Sequence, residues 1–383
     1  MARALQLGLN LGYWAGGPPE GAAETTAEAE RLGFHSMWTA EAYGSDALTP
    51  LAWWGARTQR LHLGTAIAQI SARTPAATAM AAMTLDHLSG GRVILGLGES
   101  GPQVVEGWYG QPFAKPLARM REYIGILRAI WAREPPVESQ GPHFPLPLPD
   151  GTGLGKPLKA SVRPLRQDIP IYLAAEGPKN IALAGELCDG WLALFLSPHH
   201  DGFYREALQE GLGRPEARRS AEEFEVAATV PLIVTDEVEA AADALRPMYA
   251  LYFGGMGVRG TNFHANVAIR MGYEGEVEKI QELYLSGHKR EAAAAVPTRL
   301  IEELTLIGPP EKIRHDLEAW RDSIVTTLLI GGDPQTLRTA AEPGPRLKRS
   351  DPPVRRGRRW PEARRERSRP TVNLPLRRAW PPV

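Results

Sequence analysis

Eight short apolar runs recur along this chain, each separated from the next by at least one helical pattern. No other feature of the sequence limits its fold so tightly. The runs are 5–11 (LQLGLNL), 34–39 (FHSMWT), 61–67 (LHLGTAI), 92–97 (RVILGL), 169–175 (IPIYLAA), 190–195 (GWLALF), 224–234 (FEVAATVPLIV) and 326–330 (TTLLI). Strands that alternate with helices form βαβ units and a parallel sheet. Near-continuous apolar strands are those covered on both faces. Eight such units predict an α/β fold, a closed (β/α)8 TIM barrel, with a doubly wound open sheet as the alternative that counting leaves standing. The punctuation agrees. Gly33 stops the first helix, Thr49-Pro50 and Thr74-Pro75 open the next two, and Gly90-Gly91 end the third.

Two stretches exceed the barrel pattern. Residues 135–167, after strand four, are Pro- and Gly-rich and read as a long loop or small hairpin. Residues 252–307, after strand seven, read as a helical insertion and a candidate substrate wall or lid. The barrel domain is expected to span 1–342. Beyond it, residues 343–383 hold 13 Lys+Arg against 3 Asp+Glu, with 9 Pro. The zero formal charge of the whole chain therefore hides an acidic body of net −10 and a basic tail of net +10. Such a tail cannot bury enough apolar surface to offset its ordering entropy, so it is expected to be disordered. It contains no recognisable nucleic-acid fold, and no nucleic-acid partner is expected.

Several chemistries are excluded early. Cys188 is the only cysteine, so an intramolecular disulfide and a CxxC zinc site are both ruled out. The nine histidines show no HExxH or HxH spacing, and no metal is expected. There is no GxSxG elbow and no P-loop. No run of 18 uncharged apolar residues exists, so no membrane span is predicted. The start of the chain runs straight into a strand pattern, so no targeting segment is expected and the location is read as cytoplasmic.

In a barrel of this type the site lies at the C-terminal ends of the strands. After strand one stand Gly12, Tyr13 and Trp14, which could wall a flat ring or simply pack. After strand two stands Glu41, either an acceptor for a ligand's hydroxyls or ring N–H or half of a salt bridge. After strand three stand Gln69, Ser71 and Arg73, the last beside a helix start that favours anions. After strand four, Gly96, Gly98 and Gly101 fit the letters of GxGxxG, yet Pro102 follows at once, so a Rossmann site is not expected there. Gly98 can still let backbone approach a ligand closely. After strand five, Gly177-Pro178-Lys179-Asn180 opens a helix and reads as a phosphate cradle or a plain loop.

The runs Trp38–Asp46, Leu63–Ile67, Leu85–Arg92 (LDHLSGGR), Gly96–Val104 and Gly177–Asn180 resemble luciferase-like monooxygenases, above all the actinobacterial oxidoreductases that use coenzyme F420. The resemblance covers residues 3–340. It implies a non-prolyl cis peptide at Ala66–Ile67, behind the deazaflavin ring. It implies cofactor contacts at Glu41, Gln69 and 177–180, and Gly98, Ser100 and Glu176 are counted with them as cofactor-binding. Sugar-phosphate dehydrogenases of the family carry His directly after the strand-two acid, where this chain has Ala42, so that reaction is not expected. They carry Glu at the position of Glu99, which makes Glu99 a candidate general acid/base or a structural carboxylate. The expected function is hydride transfer between F420 and a small organic substrate. The alternatives are an FMN-dependent monooxygenase on the same barrel and a non-enzymatic cofactor- or anion-binding protein. By analogy with relatives, a homodimer is expected.

Overall fold

A computed structural model describes residues 5–14, 16–257 and 262–341 of the chain. The expected tail, 343–383, lies outside the described residues. The barrel strands are β1 (Gln6–Asn10), β2 (Ser36–Thr39), β3 (His62–Thr65), β4 (Val93–Gly98), β5 (Ile171–Ala174), β6 (Gly190–Leu194), β7 (Glu225–Thr229) and β8 (Thr327–Ile330). All pair in parallel, each with its sequence neighbour. The ring is closed between β8 and β1, with Leu7 opposite Leu328, and it is continuous between β3 and β4, with Leu63 opposite Val93. The eight-stranded barrel expected from the alternation is therefore the fold.

The barrel interior is filled by Trp38, Ile94, Tyr172, Leu192, Ala227 and Leu329, with Ala66, Ile67 and Ala174 packed against them. Glycines make this filling possible. A Cβ on Gly64 would run into the Trp38 ring, and one on Gly96 would collide with the Thr65 carbonyl oxygen. Backbone and a large ring thus occupy the space that side chains would need. A larger apolar layer lies between the strands and the surrounding helices, built from residues such as Leu51, Leu95, Leu127 and Trp131. Gly33 and Gly90 end their helices with φ of 80° and 70°, and Thr74 caps the helix Pro75–Ser89 by accepting from the Ala77 N–H at 3.3 Å.

The LDHLSGGR run works as a brace between helix and strand. The Arg92 guanidinium donates to the carbonyls of Leu61 (2.5 Å), Thr58 (3.1 Å) and Ser89 (2.8 Å). Buried Asp86 accepts from the Val93 N–H at 3.3 Å and from Arg166. These contacts satisfy loop carbonyls that would otherwise be buried without a donor.

Two expected strands are shorter than their apolar runs. The run 61–67 ends as a strand at Thr65. The Ala66–Ile67 peptide is cis, and Ala68–Gln69 then resumes pairing with Leu97 and Gly98. The run 224–234 divides at Pro231, which has no N–H for a ladder. Leu232–Val234 leaves the barrel and pairs with Leu306–Gly308 instead. A further helix, Pro334–Ala341, follows β8 and was not expected. Residues 135–167 are irregular, with isolated antiparallel contacts between Val137 and Leu158 and between Ser139 and Leu146. Residues 252–307 hold the helices Phe263–Arg270, Glu274–Leu285, Lys289–Ala294 and Thr298–Leu304, packed on their own apolar cluster around Phe253, Val277, Ile280 and Leu300. Among the described residues no helix is long and apolar enough to cross a membrane.

Candidate active site

Between the ends of β2 and β3, Glu41 is buried, with every direction of its carboxylate used. Oε1 accepts from the Gln69 N–H (2.7 Å) and Arg73 Nη1 (2.6 Å). Oε2 accepts from the Ala47 N–H (3.1 Å) and Arg73 Nη2 (2.9 Å). A carboxylate offers about four lone-pair sites, so none remains for a ligand. Of the two readings open for Glu41, the salt bridge to Arg73 is the one this structure shows. Arg73 is likewise committed to Glu41 and is not a free anion site. Together they position Gln69, whose side-chain Nε2 donates to the Glu41 carbonyl at 3.0 Å.

A Cβ on Gly98 would meet Ile67 Cδ1 at 2.7 Å, so the missing side chain makes room for Ile67 beside this strand end. Ala66 and Ile67 are half-buried at the top of the interior filling. Ser100 is exposed and turns the chain with φ 63° into the short helix Pro102–Val105.

Glu99 lies between these elements, in a small recess with Ile70, Ser71, Val105, Phe113 and Arg119. Burial pushes its carboxyl up to about 7, against the opposing pull of Arg119. It therefore holds and releases a proton near neutral pH.

Gly177 caps the helix Pro178–Leu187, and its carbonyl accepts from the N–H groups of Asn180 and Ile181, both at 3.0 Å. Nothing stands beside the Gly177 Cα, and Lys179 is exposed next to it. The cradle reading for 177–180 is thus sterically open.

Nine buried side-chain polar atoms among the described residues lack a hydrogen-bond partner. Four stand at strand ends on one side of the barrel: Gln69 Oε1, Glu99 Oε1, Glu176 Oε2 and Asn180 Oδ1. Buried polar atoms are nearly always satisfied in folded proteins. A cluster of unsatisfied acceptors at a barrel mouth is what a site for a donor-bearing ligand looks like.

The structure adds His264 and Tyr252, which the sequence did not single out. Glu176 Oε1 lies 2.7 Å from Nδ1 of His264, on the insertion. Tyr252, from the same insertion, packs edge-on against that imidazole. Tyr252, Tyr13 and Tyr43 are close enough to act on one another. The Tyr13 phenol is raised by burial first and then by Tyr252 and Tyr43, and Tyr252 by burial, then Glu176 and Tyr43. Tyr13 still exposes 55% of its surface, which fits the wall of a concave site open to solvent. Only Asn262, a cap residue just ahead of a helical pattern, could have flagged His264 in the sequence.

A family model described as luciferase-like monooxygenase matches residues 8–327. A Mycobacterium tuberculosis protein named "Putative coenzyme F420-dependent oxidoreductase" is 56% identical over 344 residues, covering 89% of this chain and 99% of its own. Among solved structures, the coenzyme F420 dependent tetrahydromethanopterin reductase from Methanopyrus kandleri superposes with a TM-score of 0.73 at 24% identity, covering 88% of this chain and 98% of that one. An F420-dependent secondary alcohol dehydrogenase superposes with a TM-score of 0.70 at 18% identity, with the same coverage. At these identities the two structural likenesses speak to the fold alone.

Proposed function

The chain belongs to the luciferase-like monooxygenase family, and from that premise we infer that it is an oxidoreductase whose hydride carrier is coenzyme F420, acting on a small organic substrate. The observation that carries the cofactor reading is the cluster of unsatisfied acceptors at the strand ends. The 56% identity to the M. tuberculosis protein points to the same cofactor.

The residues present fit such a group. Gln69 Oε1, held by the Glu41–Arg73 pair, would accept from a ring N–H. Asn180 Oδ1 would accept from a hydroxyl of the cofactor's chain. The helix start at Gly177–Lys179, with first-turn N–H groups and a lysine beside it, would hold the phosphate. Ala66, Ile67 and Ser100 would wall the ring, with Gly98 acting through Ile67. When bound, the deazaflavin supplies the centre that accepts or donates hydride. A hydride adds one negative charge to a neutral ring, and Glu99 would hold the proton that balances it. With a carboxyl poised near 7, Glu99 can exchange that proton at physiological pH.

We place the protein in the cytoplasm, in accord with its single, buried Cys188. Exposed apolar side chains on neighbouring helices, Trp53, Met80 and Leu88, support a homodimer. Sedimentation velocity of the parent and of Trp53→Glu tests this, and a monomeric parent would refute it.

The decisive experiment is a fluorescence titration of the purified protein with oxidised F420, alongside FMN. Micromolar or tighter F420 binding with weak FMN binding is expected. Gln69→Ala should lose about 1–3 kcal/mol of that affinity. Preference for FMN would move the protein to the monooxygenase reading, and binding of neither would withdraw the cofactor assignment.

A further inference from the structure

The loop after β4 and the irregular stretch 135–167 converge on one buried cation, Arg119. It closes the first turn of the helix Pro116–Ala132 and is 8% exposed. Its Nη1 donates to the Pro112 carbonyl. Its guanidinium lies over the Phe144 ring, 5.6 Å from the centroid. Phe144 is fixed in turn. It meets Tyr123 edge-on at 5.4 Å, and its N–H and that of His143 donate to Glu122 Oε2 at 3.1 and 3.0 Å. A Cβ on Gly141 would collide with the Glu122 carboxylate, so the glycine lets the stretch close onto the helix.

Arg119 shares a recess with Glu99, at the end of β4. Of the nine residues lining it, these two alone can carry a charge, and its volume is about 10 Å³, room for a single water molecule. Glu99 Oε1 is buried there with no hydrogen-bond partner. The cation therefore acts on the carboxyl through space, across a gap that bulk water does not fill, where screening is weak. The other charges on the surrounding elements are engaged elsewhere or lie in solvent. Glu106 accepts from the Phe113 N–H at 3.3 Å, Glu122 holds the 143–144 backbone, Arg121 pairs with Glu186, Arg73 pairs with Glu41, and Lys115 is exposed. Burial keeps the proton on Glu99, and Arg119 pulls the other way. Burial alone would hold that proton well above neutrality, and a carboxyl that never releases its proton cannot exchange it.

We propose that Arg119 is a positioning residue, held by Phe144 and the Pro112 carbonyl where it keeps the Glu99 proton exchangeable, and that the stretch 135–167 serves as the support of that cation. The proposal rests on the reading of Glu99 as the group whose proton balances hydride transfer.

The test is a titration of the full chain without cofactor. Protein with glutamate isotope-labelled at the carboxyl carbon is followed by NMR across pH, and Glu99→Gln identifies the Glu99 signal. Its midpoint should lie near pH 7 in the parent. Arg119→Met should move that midpoint up by about one pH unit, a tenfold tighter hold on the proton. Arg119→Lys keeps the charge and should move it less. Phe144→Leu leaves Arg119 in the chain but removes the ring beneath it, and should move the midpoint in the same direction as Arg119→Met. The pH at which Glu99 ceases to contribute to stability should rise with the midpoint, because that contribution is lost only as pH passes the folded-state value. A midpoint that stays at the parent's value in Arg119→Met or in Phe144→Leu would overturn the proposal, as would a lysine variant that moves as far as the methionine one. Where Arg119→Met folds poorly, Phe144→Leu decides alone. A parent that binds no F420 yet shows these shifts would end the cofactor reading and leave the relation between Arg119 and Glu99 standing.

Discussion

The Glu41 carboxylate and the Arg73 guanidinium meet in a two-pronged ion pair, 2.6 Å to Nη1 and 2.9 Å to Nη2, and that pair ties the loop after β2 to the loop after β3. The Glu41 side chain is 2% exposed and that of Arg73 22%. Removing the cation leaves a buried carboxylate whose remaining donors are two backbone N–H groups. Arg73→Ala should therefore destabilise the fold by about 2–4 kcal/mol and weaken F420 binding, since Glu41 also holds the Gln69 N–H. Arg73→Lys should recover only part of this, because an ammonium cannot serve both oxygens. Urea denaturation paired with the F420 titration checks both, and an unchanged midpoint in Arg73→Ala would refute the brace.

Glu99 gives a pH signature with a definite sign. Burial raises its carboxyl from an ordinary 4.5 to about 7, so the folded state keeps a proton that the unfolded chain has released. Its contribution to stability is complete below pH 4.5 and is lost as pH rises through 7. Glu99→Gln should thus be more stable than the parent at pH 8, by up to about 3 kcal/mol, and equal to it at pH 4. The kcat profile of the parent should bend near pH 7, and that bend should vanish in Glu99→Gln. A bend that survives the substitution would assign it to another group.

His35 and His62 stack at the opposite end of β2 and β3, with centroids 4.5 Å apart. Burial first, and then His62, lowers His35 to about 3; His62 is lowered mainly by its own burial. Both rings are neutral in the fold. In the unfolded chain His35 charges as pH falls below an ordinary 6.5. Its contribution to stability is whole above 6.5 and drains as pH falls from there towards 3. Melting temperature should drop over that window, and His35→Asn should shallow the slope by about 1.4 kcal/mol per pH unit. Identical slopes in parent and variant would discard the pair as the source.

Gly96 is the residue where the barrel tolerates least. A Cβ there collides with the Thr65 carbonyl oxygen and comes within 2.7 Å of Leu192 Cδ1. Neither a strand backbone nor a packed interior can yield without breaking the β3–β4 closure. Gly96→Ala should cost upwards of about 3 kcal/mol and express mainly as insoluble protein. Soluble, cooperatively melting Gly96→Ala would show that the interior is looser than its packing implies.

The sequence by itself determined the barrel. Eight apolar runs broken by helix signals admit few parallel arrangements, and each run maps onto a barrel strand. That pattern is local, carried by side-chain period and by residues such as Thr74, Gly33 and Gly90 that cap where they stand. Local signals misjudged extents and missed the closing helix Pro334–Ala341: the run through Pro231 reads as one strand until pairing partners are known. What tertiary structure alone decided is which polar groups face one another. Glu41 reads equally as ligand contact or ion-pair partner until Arg73, 32 residues on, is seen to fill its lone pairs. That the missing side chain of Gly98 makes room for Ile67 is likewise visible only once the two strand ends are side by side. His264 carries no motif at all; it becomes chemically distinct only because the insertion folds back and sets it 2.7 Å from Glu176. Hydrogen bonding is short-ranged and directional, so a site assembled from six loops is invisible to periodicity and is created by the closure of the barrel itself.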